Sequence, residues 1–196
     1  MQSSGNIRFN FELNLPGIST FNLSLQENDI RSADYQLTAS GISGKQLLPK
    51  SACLTYSGKL LNESASSVRL TITPDLIYGI IKTNTTEYFI EPLSYFLKNT
   101  TPGVFVIYET KDAIIDPLLL CGVTEREAAK EKIRHSERIT AGLNCVTTQL
   151  AIASDTSMFN RYGSVSAVET HNIGVMNNVI WNYTNAQFNN NIEFVL

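Results

Sequence analysis

Apolar and polar residues alternate in short bursts over the first 108 residues of this chain, and a turn signal closes almost every burst. Ile7, Phe9, Phe11 and Leu13 are spaced by Arg8, Asn10 and Glu12. In an extended backbone such residues share one face, so the run predicts a half-buried strand. Pro16-Gly17 follows as a turn. Phe21, Leu23 and Leu25 alternate again until Glu27-Asn28-Asp29 break the pattern. A further strand is expected over residues 34–39, with residues 40–44 as a loop. Residues 52–60 read as a strand in which Gly58 marks a bulge or bend. Residues 67–72 give the cleanest alternation. Residues 76–81 and 87–90 predict a hairpin around Asn84-Thr85-Thr86, and residues 104–108 end the series. Strands this short, at nearly regular spacing, predict an antiparallel sandwich or barrel. Tyr78, Tyr88, Phe89, Tyr95 and Phe96 are expected as core and cross-strand pairs rather than as the lining of a groove.

The remainder reads differently. Residues 124–135 are rich in helix formers, and Thr124 with Glu127 three positions on is a capping-box pattern. Few of its positions are apolar, which suits a solvated connector. Residues 141–144 read as a linker. Residues 145–153 form a mostly apolar strand, and Asp155 is placed to cap a helix starting at Thr156. Gly163 breaks that helix and Ser164 caps a longer one. Val165, Val168, Val175, Val179 and Tyr183 recur on one face of it, with Met176 and Ile180 beside them. Gly174 inside this helix costs up to about 1 kcal/mol relative to Ala, so it implies close packing or a bend. After a turn at Asn189-Asn190-Asn191, residues 192–196 form a strand. Strand, helix and strand make a right-handed crossover unit. One such unit cannot bury both faces of its sheet, so the polypeptide is expected to continue beyond Leu196. The fold class is α+β: a β-rich antiparallel segment, then an incomplete α/β unit.

Bulk properties remove several function classes. Hydrophobic residues make up 43% of the 196, enough for a core, whereas charged residues are only 17% and the net charge is −3. That balance argues against a nucleic-acid partner. No apolar run is long enough for a membrane span, and the opening Met1-Gln2-Ser3-Ser4-Gly5 is polar, without the apolar core of a signal peptide, so the protein is expected either to be cytosolic or to begin upstream of Met1. No H-E-x-x-H, G-x-S-x-G, phosphate-binding or dinucleotide motif occurs. Of the two histidines, His135 and His171, the second sits on the long helix and is expected as a hydrogen-bonded flank residue rather than a metal ligand.

Chemistry then rests on the thiols. Cys53, Cys121 and Cys145 make an odd count, which is not a disulfide framework. Cys121 stands at the junction of the two regions. Gly122 after it permits close backbone approach, and a thiolate is a strong zinc ligand. Set against that, a cysteine behind Leu118-Leu119-Leu120 also suits a small buried hydrophobe.

Cys121-Gly122-Val123-Thr124 resembles the cysteine-switch motif that ends the propeptide of reprolysin (adamalysin-like, metzincin) zinc metallopeptidases, with Pro117 nearby. Residues 75–81 followed by Tyr88-Phe89-Ile90-Glu91-Pro92-Leu93 are similar to that propeptide's Tyr-x-Ile-x-Pro-Leu pattern. Residues 149–155 with Met158-Phe159-Asn160-Arg161-Tyr162-Gly163 resemble the opening of the catalytic domain. Residues 175–179 and 192–194 then fit its first helix and second strand. There are departures: Pro117 lies four residues before the cysteine instead of three, and Leu119-Leu120 replace Lys-Met.

The resemblance implies a propeptide over residues 1–123, a connector over 124–144 and the opening of a catalytic domain over 145–196. It implies a secreted zymogen in which Cys121 is the inhibitory zinc ligand. Zinc itself would be held by residues beyond Leu196, so this fragment alone is expected to be inactive. The partners implied are the chain's own downstream catalytic domain and protein or peptide substrates. Arg134 and Arg138 are the candidate processing points, although they do not form Arg-x-x-Arg. Two alternatives stay open: a stand-alone β-sandwich binding module, or an inhibitor that supplies its thiol in trans to a separate peptidase.

Overall fold

The computed structural model describes residues 8–15, 19–114, 146–184 and 192–196. Nine strands precede residue 114: β1 (Arg8–Leu15), β2 (Ser19–Glu27), β3 (Leu37–Gly41), β4 (Gly44–Leu48), β5 (Thr55–Leu60), β6 (Glu63–Thr73), β7 (Leu76–Lys82), β8 (Glu87–Pro92) and β9 (Phe105–Glu109). Seven of them form one antiparallel sheet in the order β1-β2-β5-β6-β7-β8-β9. Its alternating residues divide as the sequence pattern requires. Phe21, Leu23, Leu25, Val68, Leu70, Ile81 and Ile90 share a buried cluster, with Phe9, Phe11 and Leu13 of β1 and Phe105 and Ile107 of β9 packed against it. Burying each such Leu or Ile contributes about 1.5–3 kcal/mol. The sheet curls around this cluster as a half-barrel. The Phe21 ring on β2 thereby meets the Tyr88 ring on β8 at 5.3 Å, although β5, β6 and β7 lie between them in the sheet order.

Irregularities fall where glycine allows them. Pairing of β5 with β6 shifts register between Gly58 and Leu60. Ser66 mends the break: its Oγ accepts the Leu60 N–H at 2.8 Å and donates to the Glu63 carbonyl. A Cβ on Gly58 would lie 2.1 Å from the Ser24 carbonyl oxygen. The expected hairpin is present, with β7 and β8 joined through residues 83–86 and Ile81 opposite Tyr88. One element departs from expectation. Residues 40–44 do not form an open loop but the end of a hairpin, β3 against β4, with Ile42-Ser43 as a two-residue turn. Strand β4 has no alternation to announce it, because Lys45, Gln46 and Leu47 are all exposed.

The second region contributes β10 (Val146–Gln149), α1 (Thr156–Tyr162), α2 (Val165–Thr184) and β11 (Ile192–Val195). The helix ends are built as the sequence predicts. Asp155 accepts from the Ser157 and Met158 amides, Gly163 closes α1 at φ +82°, and Ser164 Oγ accepts the Ala167 amide at 3.1 Å. Strands β10 and β11 pair in parallel, Val146 opposite Ile192 and Gln149 opposite Val195. Strand β10 is shorter than expected, since the ladder runs out at the Leu150 amide, which donates to the Val195 carbonyl at 2.8 Å. On the far side the Leu196 amide donates to Ile30 and the Ser32 amide to Leu196, at 3.0 and 2.6 Å. Ile30, Ile173, Ile180 and Leu196 form a second core there, with Tyr35, Leu150, Met176 and Phe194 against it.

Helix α2 lies on the outer face of the curled sheet, against β5, β6 and β7. Its buried face is not the valine stripe. Val168 of that stripe is buried, but Val165, Val175 and Val179 are only half-buried, whereas Ile173, Gly174, Asn177, Asn178, Ile180 and Trp181 are buried. The reason is the surface underneath. The outer face of β6 presents Ser67 and Thr71, and the helix meets it with polar and small groups. Asn177 Nδ2 donates to the Leu70 carbonyl at 3.2 Å, and Trp181 Nε1 donates to Ser67 Oγ at 2.9 Å. Gly174 sits so close that a Cβ would lie 2.7 Å from the Tyr78 ring. The helix expected over residues 124–135, the Pro16-Gly17 turn and the 141–144 linker lie outside the described residues.

Backbone packing of β7 on β6 depends on one glycine. A Cβ on Gly79, at φ +156°, would stand 2.0 Å from the Arg69 carbonyl oxygen. Gly79→Ala is expected to lower unfolding stability by roughly 2 kcal/mol or more. Gly41→Ala, where nothing lies within 4 Å, should change it by less than about 0.5 kcal/mol. Urea unfolding midpoints of the two variants test this.

Candidate functional site

Cys121, Arg134 and Arg138 all lie within residues 115–145, outside the described residues, as does Cys145. The described chain leads to that segment from β9, an edge strand of the large sheet, through a short 3₁₀ turn (Thr110–Asp112) to an exposed Ile114. It resumes at β10. Cys53 is a free, half-buried thiol whose Sγ lies 3.4 Å from the Thr55 carbonyl oxygen. Among the described residues no group of three or more His, Cys, Asp or Glu side chains is placed to hold a metal ion. Also among them, no helix is long and apolar enough to cross a membrane.

Two polar clusters join the sheet to the second region. The first surrounds His171 on α2. Its Nδ1 lies 3.1 Å from the Tyr95 hydroxyl and its Nε2 3.2 Å from the Tyr162 hydroxyl, and its ring stacks on Tyr162 at 4.4 Å. Tyr95 comes from the 3₁₀ turn after β8 and Tyr162 from the last residue of α1. Arg161 ties the same turn down by donating to the Tyr95 carbonyl at 3.2 Å. Each imidazole nitrogen thus has a hydroxyl partner, as expected for a flank histidine. Burial, and then the Arg161 charge, push the His171 pKa below its ordinary value. The phenols are pushed the other way: burial and neighbouring negative charge raise Tyr95 and Tyr108 well above the usual range.

Of the five aromatics expected to pack, Tyr88 is in the core cluster and Phe89 stacks on Tyr108 across strands. Tyr78 meets Tyr95 edge-on at 5.8 Å. Phe96 departs from the expectation and stands largely exposed.

The second cluster is centred on Arg31, in the segment after β2. Its guanidinium binds Asp29 in a two-pronged contact, Nε to Oδ1 at 2.7 Å and Nη2 to Oδ2 at 2.9 Å. Nη1 donates to the Ser51 carbonyl and hydroxyl at 3.1 and 2.9 Å, and Nη2 to the Ala52 carbonyl at 3.2 Å. Nη1 also stands 3.8 Å from Glu169 Oε1 on α2. That carboxylate accepts from the Tyr35 and Ser51 hydroxyls, each at 3.2 Å. The Arg31 and Glu169 side chains are 2% and 3% exposed. Burial opposes ionisation of Asp29, yet the Arg31 hydrogen bonds and charge hold its carboxyl below the usual range. Burial and the Glu169 carboxylate push the Tyr35 hydroxyl up to about 12. Neither Arg31 nor Glu169 stood out in the sequence. Asp29 reads there as a strand breaker, and Glu169 is 138 positions from Arg31, a pairing that no local pattern encodes.

Comparison with known proteins finds no matching family model and no matching curated protein.

The His171 cluster has a pH consequence. Its folded pKa is lowered, so as pH falls below about 6.5 the unfolded chain takes up that proton first. The stability it contributes is present above that pH and is lost on acidification. His171→Gln is therefore expected to narrow the stability gap to the unsubstituted chain as pH is lowered from about 7 to 5. Urea midpoints across that range measure it; a gap that stays constant refutes it.

Proposed function

We propose that this chain is the front of a latent, secreted zinc endopeptidase of the reprolysin type. Residues 1–123 act as its propeptide, 124–144 as the connector and 145–196 as the opening of its catalytic domain. The observation that carries this reading is the order of the pieces: a β-rich segment, then Cys121-Gly122-Val123-Thr124, then an apolar strand and two helices leading to a parallel strand. The parallel pairing of β10 and β11 around α2 supports it, because a crossover of that kind begins an α/β layer rather than extending an antiparallel one.

In this reading the chain's contribution to the zinc is Cys121, and the other ligands belong to the complete enzyme beyond Leu196. When bound, that zinc polarises a substrate carbonyl and activates water for peptide-bond hydrolysis. A catalytic zinc works only while one coordination position is open. In the latent form the Cys121 thiolate would occupy that position, and a glycine after it would permit close backbone approach. Activation then needs either cleavage in the connector, with Arg134 and Arg138 as candidate points, or oxidation of Cys121, which removes the free thiolate.

Cys121→Ser in the complete enzyme tests this. The uncleaved variant is expected to hydrolyse a peptide substrate at least about tenfold faster than the uncleaved parent, because Ser is a far weaker zinc ligand, and a zinc chelator should abolish the gain. Unchanged latency in the Ser variant overturns the reading.

A further inference from the structure

Cutting a connector releases two segments only if nothing else holds them. Here much holds them. Across the boundary between residues 8–114 and 146–196, Trp181 donates to Ser67, Asn177 to the Leu70 carbonyl, and Arg161 to the Tyr95 carbonyl. Gln149 donates to both Ser32 and Asp34. Leu196 seals against Ile30 in the second core and exchanges backbone hydrogen bonds with Ile30 and Ser32. Within this boundary lies a buried ion pair: Arg31 from the β-rich segment and Glu169 from α2, 2% and 3% exposed.

We propose that the two segments stay docked through this surface, clamped by Arg31 and Glu169, so that cutting the chain within residues 115–145 does not by itself separate them. The regulatory meaning rests on the zymogen reading: the clamp is a second lock on latency, independent of the thiol. The docking itself does not need that reading. Its chemistry argues for specificity. Both charges are out of water and satisfied on the spot, Arg31 by Asp29, Ser51 and Ala52 as well as Glu169, and Glu169 by Tyr35 and Ser51. Removing Arg31 leaves Glu169 buried without its counter-charge, a large penalty at an interface; removing the Glu169 charge takes away the carboxylate that holds the Tyr35 and Ser51 hydroxyls across the boundary, while Arg31 keeps Asp29. The remainder of the surface mixes an apolar patch with many direct hydrogen bonds, as separable protein partners do.

The test uses the whole chain carrying Cys121→Ser, with residues 136–141 replaced by the recognition sequence of a site-specific protease. After complete cutting, the two pieces are expected to elute together under native conditions at the size of the uncut chain and to separate only in denaturant. Arg31→Ala and Glu169→Gln, each checked for folding before cutting, are expected to speed dissociation of the cut complex at least about tenfold. Lys111→Ala, an exposed residue on β9's far side of the sheet order that pairs with Glu109, should leave the rate unchanged. Pieces that part on cutting overturn the proposal, as does a cut complex whose dissociation rate is the same in all three variants. If one of the two clamp variants fails to fold, the other and the cut parent still decide the matter. Cys121 is absent from every sample, so separation counts against the clamp alone, while the switch reading stands or falls on latency of the complete enzyme.

Discussion

Everything on the outer side of the sheet depends on how closely α2 can approach it. Gly174 removes the one Cβ that would strike Tyr78, and this brings Asn177 within reach of the Leu70 carbonyl in the middle of β6. The approach also fixes the helix's rotation. With Gly174 and Asn177 turned down, Ile173 and Ile180 fall on the side where Ile30 and Leu196 complete a second core, and Glu169 arrives beside Arg31. A bulkier residue at 174 would lift the helix and weaken the Asn177 bond, the second core and the ion pair together. Such coupling among neighbours is why contacts of this kind are not additive.

The sheet was legible in the sequence because period-two alternation is a local signal, and each strand carries its own copy. Phe21, Leu23 and Leu25 face inward whatever the rest of the chain does. The Gly58 bulge was legible too, since a glycine within a strand pattern has few other uses. The β3–β4 hairpin was legible only in its first strand, where half-buried Leu37 and Ala39 alternate with exposed Thr38 and Ser40; β4 buries no face and so does not alternate. The orientation of α2 was hidden for a related cause. The valine stripe is the most apolar face by composition, but the surface it would have to meet is the polar side of β6. Helix rotation was decided by the partner, and only Gly174 hinted at it.

Sites divide the same way. Caps such as Asp155 and Ser164 were readable because donor and acceptor lie two or three residues apart. Cys121 carries a local motif, four residues in a row, but lies outside the described residues. Arg31 with Glu169, and His171 with Tyr95, are pairings over 138 and 76 positions, and single residues of these types carry no mark of the partner they will find.

The polarity of the α2 surface bears on what the two segments are to each other. A helix meant to be a permanent part of a core is best served by apolar groups, since a buried ion pair is at most weakly stabilising against a hydrophobic replacement. This surface instead commits Asn177, Asn178, Glu169, Arg31 and Thr71 to burial, with a half-buried Ser67 bonded to Trp181. Groups of that kind suit a boundary that has to be specific while intact and tolerate water when opened, because each of them is well solvated once exposed. Large apolar faces on both sides would leave each piece sticky after separation. On the zymogen reading proposed above, the β-rich segment has to hold its thiol in register and later leave, and a polar, keyed contact reconciles those two demands better than a greasy one.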